Sequence, residues 1–310
     1  MTQITTLISN QDKQRLDKFL TSNLSDFTRS QLQKLIERKL VKVNGAIRSA
    51  HFLVQTGDTV EIFPETIELV DGKTPKIILP KIKIIAETDD YLVINKPAGL
   101  LVHGGKHIKD ISLVDWLIKY YPAVATVGDS PERPGIIHRL DKDVSGVMLI
   151  AKNQIAFDYY KSLFSQRLMH KKYTALVHGV IAKDEITLNF HIERSTSGYK
   201  MAARPSNQEG KEAISQVVTI KRWYHYSAAN ITILTGRTHQ IRAHLSAYSH
   251  PIIGDELYGT RESKIKNKKL HTTRIYLAAI ELGFTDQQGQ PQLFVIKTPA
   301  EFQALSKTFS

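Results

Sequence analysis

A short group of charged and polar residues stands between two apolar stretches that are typical of buried strands. The group is His138-Arg139-Leu140-Asp141, inside the run from Gly135 to Asn153. Burying an arginine or a carboxylate is costly unless the charge is paired. Arg139 and Asp141 are therefore either a structural ion pair or part of a working site.

A single carboxylate such as Asp141 can act as a nucleophile or as a base. A glycoside hydrolase needs two carboxylates that face each other across the bond, and Asp143 is the nearest second acid. In an extended segment the two side chains share a face, whereas a loop breaks that alternation. Hydrolysis is therefore the disfavoured alternative.

The histidines raise the question of a metal. His239 and His244 are five residues apart with no acid between them, unlike the H-E-x-x-H spacing of zinc proteases. The chain has no cysteine, and it contains neither a G-x-G-x-x-G motif nor a phosphate loop. We predict no metal and no cofactor.

Five blocks of sequence follow one another in an order that points to one family. They are Tyr91–Gly99, His138–Gly146, Lys172–Val177, Thr235–Arg242 and Gly254–Gly259. The second block resembles the catalytic signature H-R-L-D-x-x-T-S-G of the RluA-type pseudouridine synthases, which include the RluD-like enzymes. The resemblance implies an isomerase that converts specific uridines of RNA to pseudouridine.

The same resemblance implies a role for each candidate residue. Asp141 is the implied catalytic group, Tyr173 stacks on the flipped uracil, and Arg242 pairs with the aspartate. Arg139 enters the RNA where the base leaves, beside His138, and Arg237 is expected at an RNA phosphate. Taken alone, Arg139 could equally satisfy a nearby carboxylate, Tyr173 could be a core residue, and Arg237 is the alternative partner of Asp141.

Two positions depart from the family pattern. Val144 stands where threonine is usual, and Gly104 stands where proline is common. Valine lacks the hydroxyl but keeps the β-branched shape, so we expect the backbone beside Asp141 to hold.

The composition favours a polyanionic partner. The 310 residues include 42 Lys and Arg against 30 Asp and Glu, a net charge of +12. No apolar run approaches the roughly 20 residues of a membrane span, and no secretory signal is apparent at the first residues. We expect a cytoplasmic, monomeric protein that binds RNA but neither DNA nor a membrane.

The N-terminal part, residues 1–64, is predicted to be a small α+β RNA-binding module. Thr28 to Gln31 reads as a capping box before an apolar helical stripe, and Val43-Asn44-Gly45 reads as a strand entering a hairpin turn. The segment resembles the αL module of a ribosomal small-subunit protein. Its basic residues, which a solvated helix face would also explain, are Arg29, Lys34, Arg38, Lys39, Lys42 and Arg48.

We interpret residues 65–80 as a linker and 81–310 as a catalytic domain of α+β class, with a mixed, mainly antiparallel sheet and flanking helices. The predicted strands are 82–86, 91–95, 147–151, 173–177, 214–220, 228–234 and 275–282. The predicted helices are 113–120, 153–168 with Asn153 as N-cap, 239–247 and 301–308. The basic segment 261–269 is predicted to be an exposed loop.

The substrate follows from the domain order. Family members with this added module often act on large-subunit ribosomal RNA, which is therefore the expected substrate, with transfer RNA as the alternative. A non-catalytic RNA-binding or ribosome-assembly factor would share the basic surface, but the presence of Asp141, Tyr173 and Arg242 favours the enzyme.

Overall fold

The chain forms two compact units, Met1–Ile78 and Leu79–Ser310. A computed structural model describes residues 5–10, 12–24, 32–33, 35–36, 39–63, 79–104, 110–195 and 200–309. Three of the basic residues predicted to bind RNA lie outside the described residues, namely Arg29, Lys34 and Arg38. The predicted capping box at Thr28 and most of the predicted linker also lie outside them.

The first unit is a small α+β module. Its described elements are β1 (Thr5–Ile8), β2 (Gln14–Arg15), α1 (Leu16–Asn23), β3 (Val41–Val43), β4 (Ala46–Ile47), β5 (Leu53–Val54) and β6 (Thr59–Ile62). The antiparallel sheet has the order β1-β6-β3-β4, and β2 pairs with β5. Asn44 and Gly45 both have positive φ, as the tight turn between β3 and β4 requires. The hairpin predicted at this position is confirmed.

The second unit is built on one ten-stranded sheet. Its order is β12-β11-β13-β14-β10-β15-β9-β8-β7, with β16 paired to β15. The strands are β7 (Lys83–Glu87), β8 (Tyr91–Lys96), β9 (Ser145–Ala151), β10 (His170–His178), β11 (Glu185–Arg194), β12 (Met201–Pro205), β13 (Lys211–Arg222), β14 (Tyr226–Ile233), β15 (Leu277–Thr285) and β16 (Pro291–Val295). Among the described strands of this unit, only β9 and β15 run parallel, so the predicted mixed, mainly antiparallel sheet is confirmed.

The central strands are covered on both faces. Leu92 and Ile94 of β8 belong to one apolar cluster, and Tyr91 and Val93 belong to another on the opposite face. The same alternation holds along β9, every residue of which is buried. This explains the near-continuous apolar runs on either side of Asp141 in the sequence.

Helices flank this sheet on both sides. They are α2 (Leu113–Tyr120), α3 (Gln154–Ser165), α4 (Gln240–Ala247), α5 (Arg261–Lys269) and α6 (Ala300–Ser306), with a 3₁₀ turn at Pro122–Thr126. Helix α2 packs its apolar side against the first cluster and α3 packs against the second. The Asn153 side chain accepts a hydrogen bond of 2.8 Å from the Ala156 amide, which confirms the predicted N-cap of α3.

One prediction about the second unit was wrong. Residues 261–269 form α5 and not a loop, because Thr260 caps the helix at the Ser263 amide and Glu262 pairs with Lys266 one turn later. Strands β11, β12 and β16 were not among the predicted strands. In β11 a signal was present, because Ile186, Leu188 and the residues at every second position after them alternate with polar residues. None of the described helices is long and apolar enough to cross a membrane.

Candidate active site

Asp141 lies in the loop that leads into β9, and several hydrogen bonds fix this loop. The Asp141 carbonyl accepts from the Val144 amide at 3.1 Å, and the Lys142 carbonyl accepts from the Gly99 amide at 2.9 Å. Val144 is buried in the core, so its side chain holds this turn without the hydroxyl that threonine would supply. The Asp141 side chain itself stays 18% exposed, which leaves its carboxylate open to a ligand.

The buried Lys96 ammonium ties this loop to the turn after β8. Its Nζ donates to the carbonyl oxygens of Leu100 at 2.7 Å, Pro97 at 3.0 Å and Lys142 at 3.0 Å. Burial lowers the pKa of Lys96 to about 7, against the opposing effect of the Asp143 and Asp141 charges. Lys96 therefore supports the backbone next to Asp141.

One guanidinium joins two carboxylates in the centre of the site. Arg242 Nη1 donates to Asp141 Oδ2 at 2.9 Å, while its Nε and Nη2 donate to Asp255 Oδ2 and Oδ1 at 2.7 and 3.0 Å. Burial works against the charge of Arg242, but the hydrogen bonds and charges of Asp255 and then Asp141 raise the pKa of its side chain. Arg242 is thus a fixed cation whose free edge holds Asp141.

Asp255 gives Arg242 its orientation. Its side chain is fully buried, and Oδ1 also accepts hydrogen bonds from the Leu257 and Tyr258 amides, both at 3.0 Å. The ring of Tyr258 lies 5.0 Å from the guanidinium carbon of Arg242. The planar fork of Arg242 therefore has one orientation, which is the one that meets Asp141.

His239 is the second cationic or donor group beside Asp141. The Tyr258 hydroxyl accepts a hydrogen bond from the Met201 amide at 2.8 Å and lies 3.0 Å from His239 Nδ1. We therefore assign the hydroxyl as the donor and His239 Nδ1 as the acceptor. The proton of neutral His239 is then on Nε2, which is 3.7 Å from Asp141 Oδ2. Burial lowers the pKa of His239, whereas the Asp141 charge acts in the opposite direction.

Tyr173 closes the inner side of the site. It lies in β10, almost fully buried, and its ring belongs to the larger apolar cluster of the catalytic unit. Burial, and then the Asp141 charge, raise the pKa of its hydroxyl, so Tyr173 is neutral at physiological pH. Tyr173 lines a small recess together with Asp141 and the apolar Ile233 and Leu277, and such a recess suits the flat face of a base.

Three hollows adjoin at Arg139, and Asp141 lines two of them. An open cleft of about 680 Å³ holds Asp141, Asp143 and His239 on its wall, and the recess of Tyr173 and Asp141 measures about 60 Å³. A third cleft of about 490 Å³ lies on the other side of Tyr173. The exposed Arg139 lines all three, and no hydrogen bond or ion pair holds its guanidinium among the described residues.

The other predicted RNA-binding residues differ in how free they are. His138 Nε2 accepts from the Leu149 amide at 3.0 Å and its ring stacks on Phe164, so this side chain supports the loop. Arg237 Nε donates to the Glu212 carbonyl at 3.0 Å, and its side chain lines the recess near Tyr173. In the first unit Lys39 is exposed and Lys42 is half-buried, 4.9 Å from the Phe63 ring centre.

No group of three or more His, Cys, Asp or Glu side chains in the described part of the chain could hold a metal ion. The polar side chains described around Asp141 include those of Arg242, His239, Tyr173 and Tyr258.

Comparison with known proteins decides the family. Residues 90–247, which include Asp141, Tyr173 and Arg242, match the family described as RNA pseudouridylate synthase. The chain belongs to this family. Residues 14–60 match the S4 domain, so this RNA pseudouridine synthase carries an S4 module ahead of its catalytic domain, as the sequence predicted for an RluA-type enzyme.

Characterised and uncharacterised relatives agree with this family. The synthase is 35% identical over 300 residues to an uncharacterised RNA pseudouridine synthase of Aquifex aeolicus, covering 95% of this chain and 93% of the relative. It is 37% identical over 248 residues to the ribosomal large subunit pseudouridine synthase D of Haemophilus ducreyi, covering 80% and 73%. The solved structure of human RNA pseudouridylate synthase domain containing 4 matches with a TM-score of 0.59 at 25% identity, covering 73% of this chain and 92% of that one.

Two residues of the synthase site were overlooked at the level of sequence. Asp255 and Tyr258 stand in the fifth block, but nothing in the spacing of Gly254-Asp255 and Tyr258-Gly259 assigns them a partner. The available signal was an acidic residue three positions before a tyrosine, between two glycines. Their role is visible only where α4 brings Arg242 against them.

Proposed function

We propose that the enzyme isomerises uridines of large-subunit ribosomal RNA and that Asp141 is the group that starts the reaction. The observation that carries this proposal is the partly exposed Asp141 carboxylate, held by Arg242 at 2.9 Å beside the recess of Tyr173. Support for ribosomal RNA comes from relatives named ribosomal large subunit pseudouridine synthase D. Transfer RNA is the alternative substrate.

The reaction is balanced within the uridine. The C1′–N1 bond breaks, the uracil turns over, C5 joins C1′, the hydrogen on C5 is lost to solvent and N1 gains a proton. An ionised carboxylate at the sugar and base can begin this sequence as nucleophile or base. Arg242 orients the Asp141 carboxylate through the hydrogen bond from its Nη1, and His239 Nε2 lies 3.7 Å from the same oxygen.

The target base must leave its helix to reach Asp141. We propose that the uracil enters the recess and stacks on Tyr173, a contact that contributes roughly 1–3 kcal/mol. Arg139, which lines all three hollows and pairs with none of the described residues, fills the space that the base leaves in the RNA. His138 supports Arg139 through its bond to Leu149, and Arg237 contacts phosphate.

The basic residues of the S4 module are proposed to hold the RNA backbone outside the catalytic domain. They are Arg29, Lys34, Arg38, Lys39 and Lys42. A monomeric state, a cytoplasmic location and the lack of DNA binding stay predictions.

The decisive experiment is release of tritium from C5 of labelled uridine in ribosomal and transfer RNA. The wild type should release tritium and form pseudouridine, and Asp141→Asn should do neither while melting normally. Asp143→Asn is the matched control, because this exposed carboxylate lies two residues away on the same cleft without touching Arg242. It should keep the activity.

Three outcomes contradict the proposal. Tritium release by Asp141→Asn refutes the role of Asp141. Free uracil as the product indicates hydrolysis by two carboxylates. The absence of release from either RNA, including RNA in assembling ribosomal particles, favours a binding factor without catalysis.

A further inference from the structure

The third cleft, next to the recess of Tyr173, has an electrostatic character of its own. Five basic side chains line it, and no described Asp or Glu side chain does. The five are Arg139, Lys161, Arg167, Lys171 and Arg237. Its remaining polar lining consists of His138, Ser165, Thr235 and Tyr173. A cleft of this kind attracts an anion.

Lys171 is the unusual member of this group. Its side chain is only 6% exposed, and no described acceptor receives a hydrogen bond from its Nζ. The nearest compensation is the ring of Phe164, with Nζ 5.5 Å from the ring centre. A lysine side chain that is almost fully buried and donates no hydrogen bond is rare, because the desolvation of its charge is not repaid.

The neighbours of Lys171 leave it uncompensated. Lys161 and Arg167 line the same cleft, but each forms an ion pair with an acid that does not line it, Asp129 and Glu212 respectively. Burial, and then the Arg167 charge, lower the pKa of Lys171 to about 8. The His138 ring adds no charge, because burial, and then Lys171, lower its pKa to about 3.

The position of Lys171 relates it to the target base. Lys171 and Tyr173 are two residues apart in β10, and both side chains line this cleft. Residues at this spacing in a strand are separated by roughly 6.6 Å. An anion bound at Lys171 would therefore lie one short step from a base stacked on Tyr173.

We propose that Lys171 binds a phosphate of the RNA backbone immediately beside the target uridine. The unpaired Arg139, at the rim of the same cleft, supplies a second donor to this phosphate or to the next one. The proposal rests on the proposed function for the identity of the nucleotide at Tyr173. A free phosphate or nucleotide has the same chemistry, so the test separates these sources.

The first measurement is the affinity of catalytically inactive protein for RNA as a function of salt. A fluorescein-labelled RNA hairpin with uridines in its loop is titrated with Asp141→Asn and with Asp141→Asn carrying Lys171→Met, Lys171→Arg or Lys172→Met. Lys171→Met should raise Kd about tenfold. It should also reduce the slope of log K against log salt by about 0.7 to 0.9.

Lys172→Met is the matched control. Lys172 is the next residue of the same strand and carries the same charge, but it is paired with Glu281 at 3.1 Å and lines none of the three hollows. Its substitution should leave the salt slope unchanged, and Lys171→Arg should restore most of the affinity. An equal loss in both methionine variants would indicate a general charge effect and overturn the proposal.

The second measurement locates the phosphate. Single methylphosphonate linkages, which are uncharged, are placed on either side of each loop uridine. One linkage should weaken binding to the Lys171 protein about tenfold and have no further effect on Lys171→Met. The proposal is refuted if no linkage is coupled to Lys171, and equally if inorganic phosphate or uridine monophosphate binds at Lys171 while RNA affinity is the same in Lys171→Met.

Failure of the proposed function would look different. In that case the wild-type protein forms no pseudouridine in any RNA, yet the Lys171-dependent salt slope and phosphate coupling persist. If pseudouridine forms but the slope and coupling are absent, only the phosphate site is wrong.

Discussion

Replacing Asp255 by asparagine should slow the reaction without removing any group that we place on the substrate. Asp255 Oδ2 accepts from Arg242 Nε at 2.7 Å, and Oδ1 accepts from Arg242 Nη2 and from two backbone amides. Asparagine keeps the Oδ1 bonds but turns an NH₂ group towards Arg242 Nε. Two donors then face each other, and the guanidinium loses its fixed orientation towards Asp141.

The size of the effect follows from this single exchange. A hydrogen bond to a charged group contributes about 1.5–3 kcal/mol. If that energy is expressed in the placement of Asp141, the single-turnover rate falls roughly 10- to 150-fold. The protein also loses about 3 kcal/mol of stability, the low end for a broken buried ion pair, because Asp141 remains beside Arg242.

The assay is single-turnover tritium release under conditions where every variant is folded, together with thermal melting. Asp286→Asn is the matched control, since Asp286 is a buried carboxylate that accepts from two backbone amides through Oδ1 and from Gln292 through Oδ2. It should lower the melting temperature and leave the rate unchanged. A normal rate for Asp255→Asn would refute the view that Asp255 acts through Arg242 on Asp141.

Two further predictions concern stability. In Gly146→Ala the new methyl would overlap the Ala279 carbonyl oxygen at a φ of +130°. We therefore expect a loss of about 2–3 kcal/mol and a melting temperature lower by about 4–12 °C. Gly289→Ala, whose methyl meets nothing within 4 Å, should lose less. The second concerns the dependence of stability on pH. Burial, and then Lys171, lower the pKa of His138 to about 3 in the folded protein. The contribution of His138 to stability is therefore complete above about pH 6.5 and is lost as pH falls towards 3. Denaturant unfolding between pH 7 and pH 5 should show a decline from this group of at most about 1.4 kcal/mol per pH unit. His138→Gln should flatten this decline, and an unchanged decline would contradict the assignment of a neutral His138.

The sequence predicted those parts of the fold whose signals are local. The hairpin at Asn44 and Gly45, the N-cap at Asn153 and the buried strand after Asp141 all follow from residues within a few positions of each other. The helix α5 was mistaken for a loop because its charge suggested solvent, while its cap at Thr260 was overlooked. Charge density does not distinguish an exposed helix from an exposed loop, but a capping residue does.

The site was predictable only where family resemblance supplied it. The pairing of Arg242 with Asp141 was implied by the resemblance and is present at 2.9 Å, but the second carboxylate of the cluster was not assigned. Lys171 was also passed over, because a lysine next to another lysine in a basic chain carries no signal of burial. Among the described residues, Lys171 has the Phe164 ring but no hydrogen-bonded partner, which results from the packing of β10 against α3. Packing of this kind cannot be read from the spacing of residues.

The place of β15 in the sheet determines when the active centre can exist. Asp141 precedes β9, whereas Arg242 follows β14, and these two strands lie on opposite sides of the pair formed by β10 and β15. During synthesis, Asp141, Tyr173 and Arg242 are all made before residues 277–285. These three residues come together only after β15 has been made and has joined the sheet. The ion pair between Asp141 and Arg242 closes a loop of 101 residues, and such distant contacts form late because they follow the loss of chain entropy. A nascent or partly folded chain can thus carry every side chain that we propose for the reaction and still be unable to modify RNA, so enzymatic activity reports that the sheet is complete.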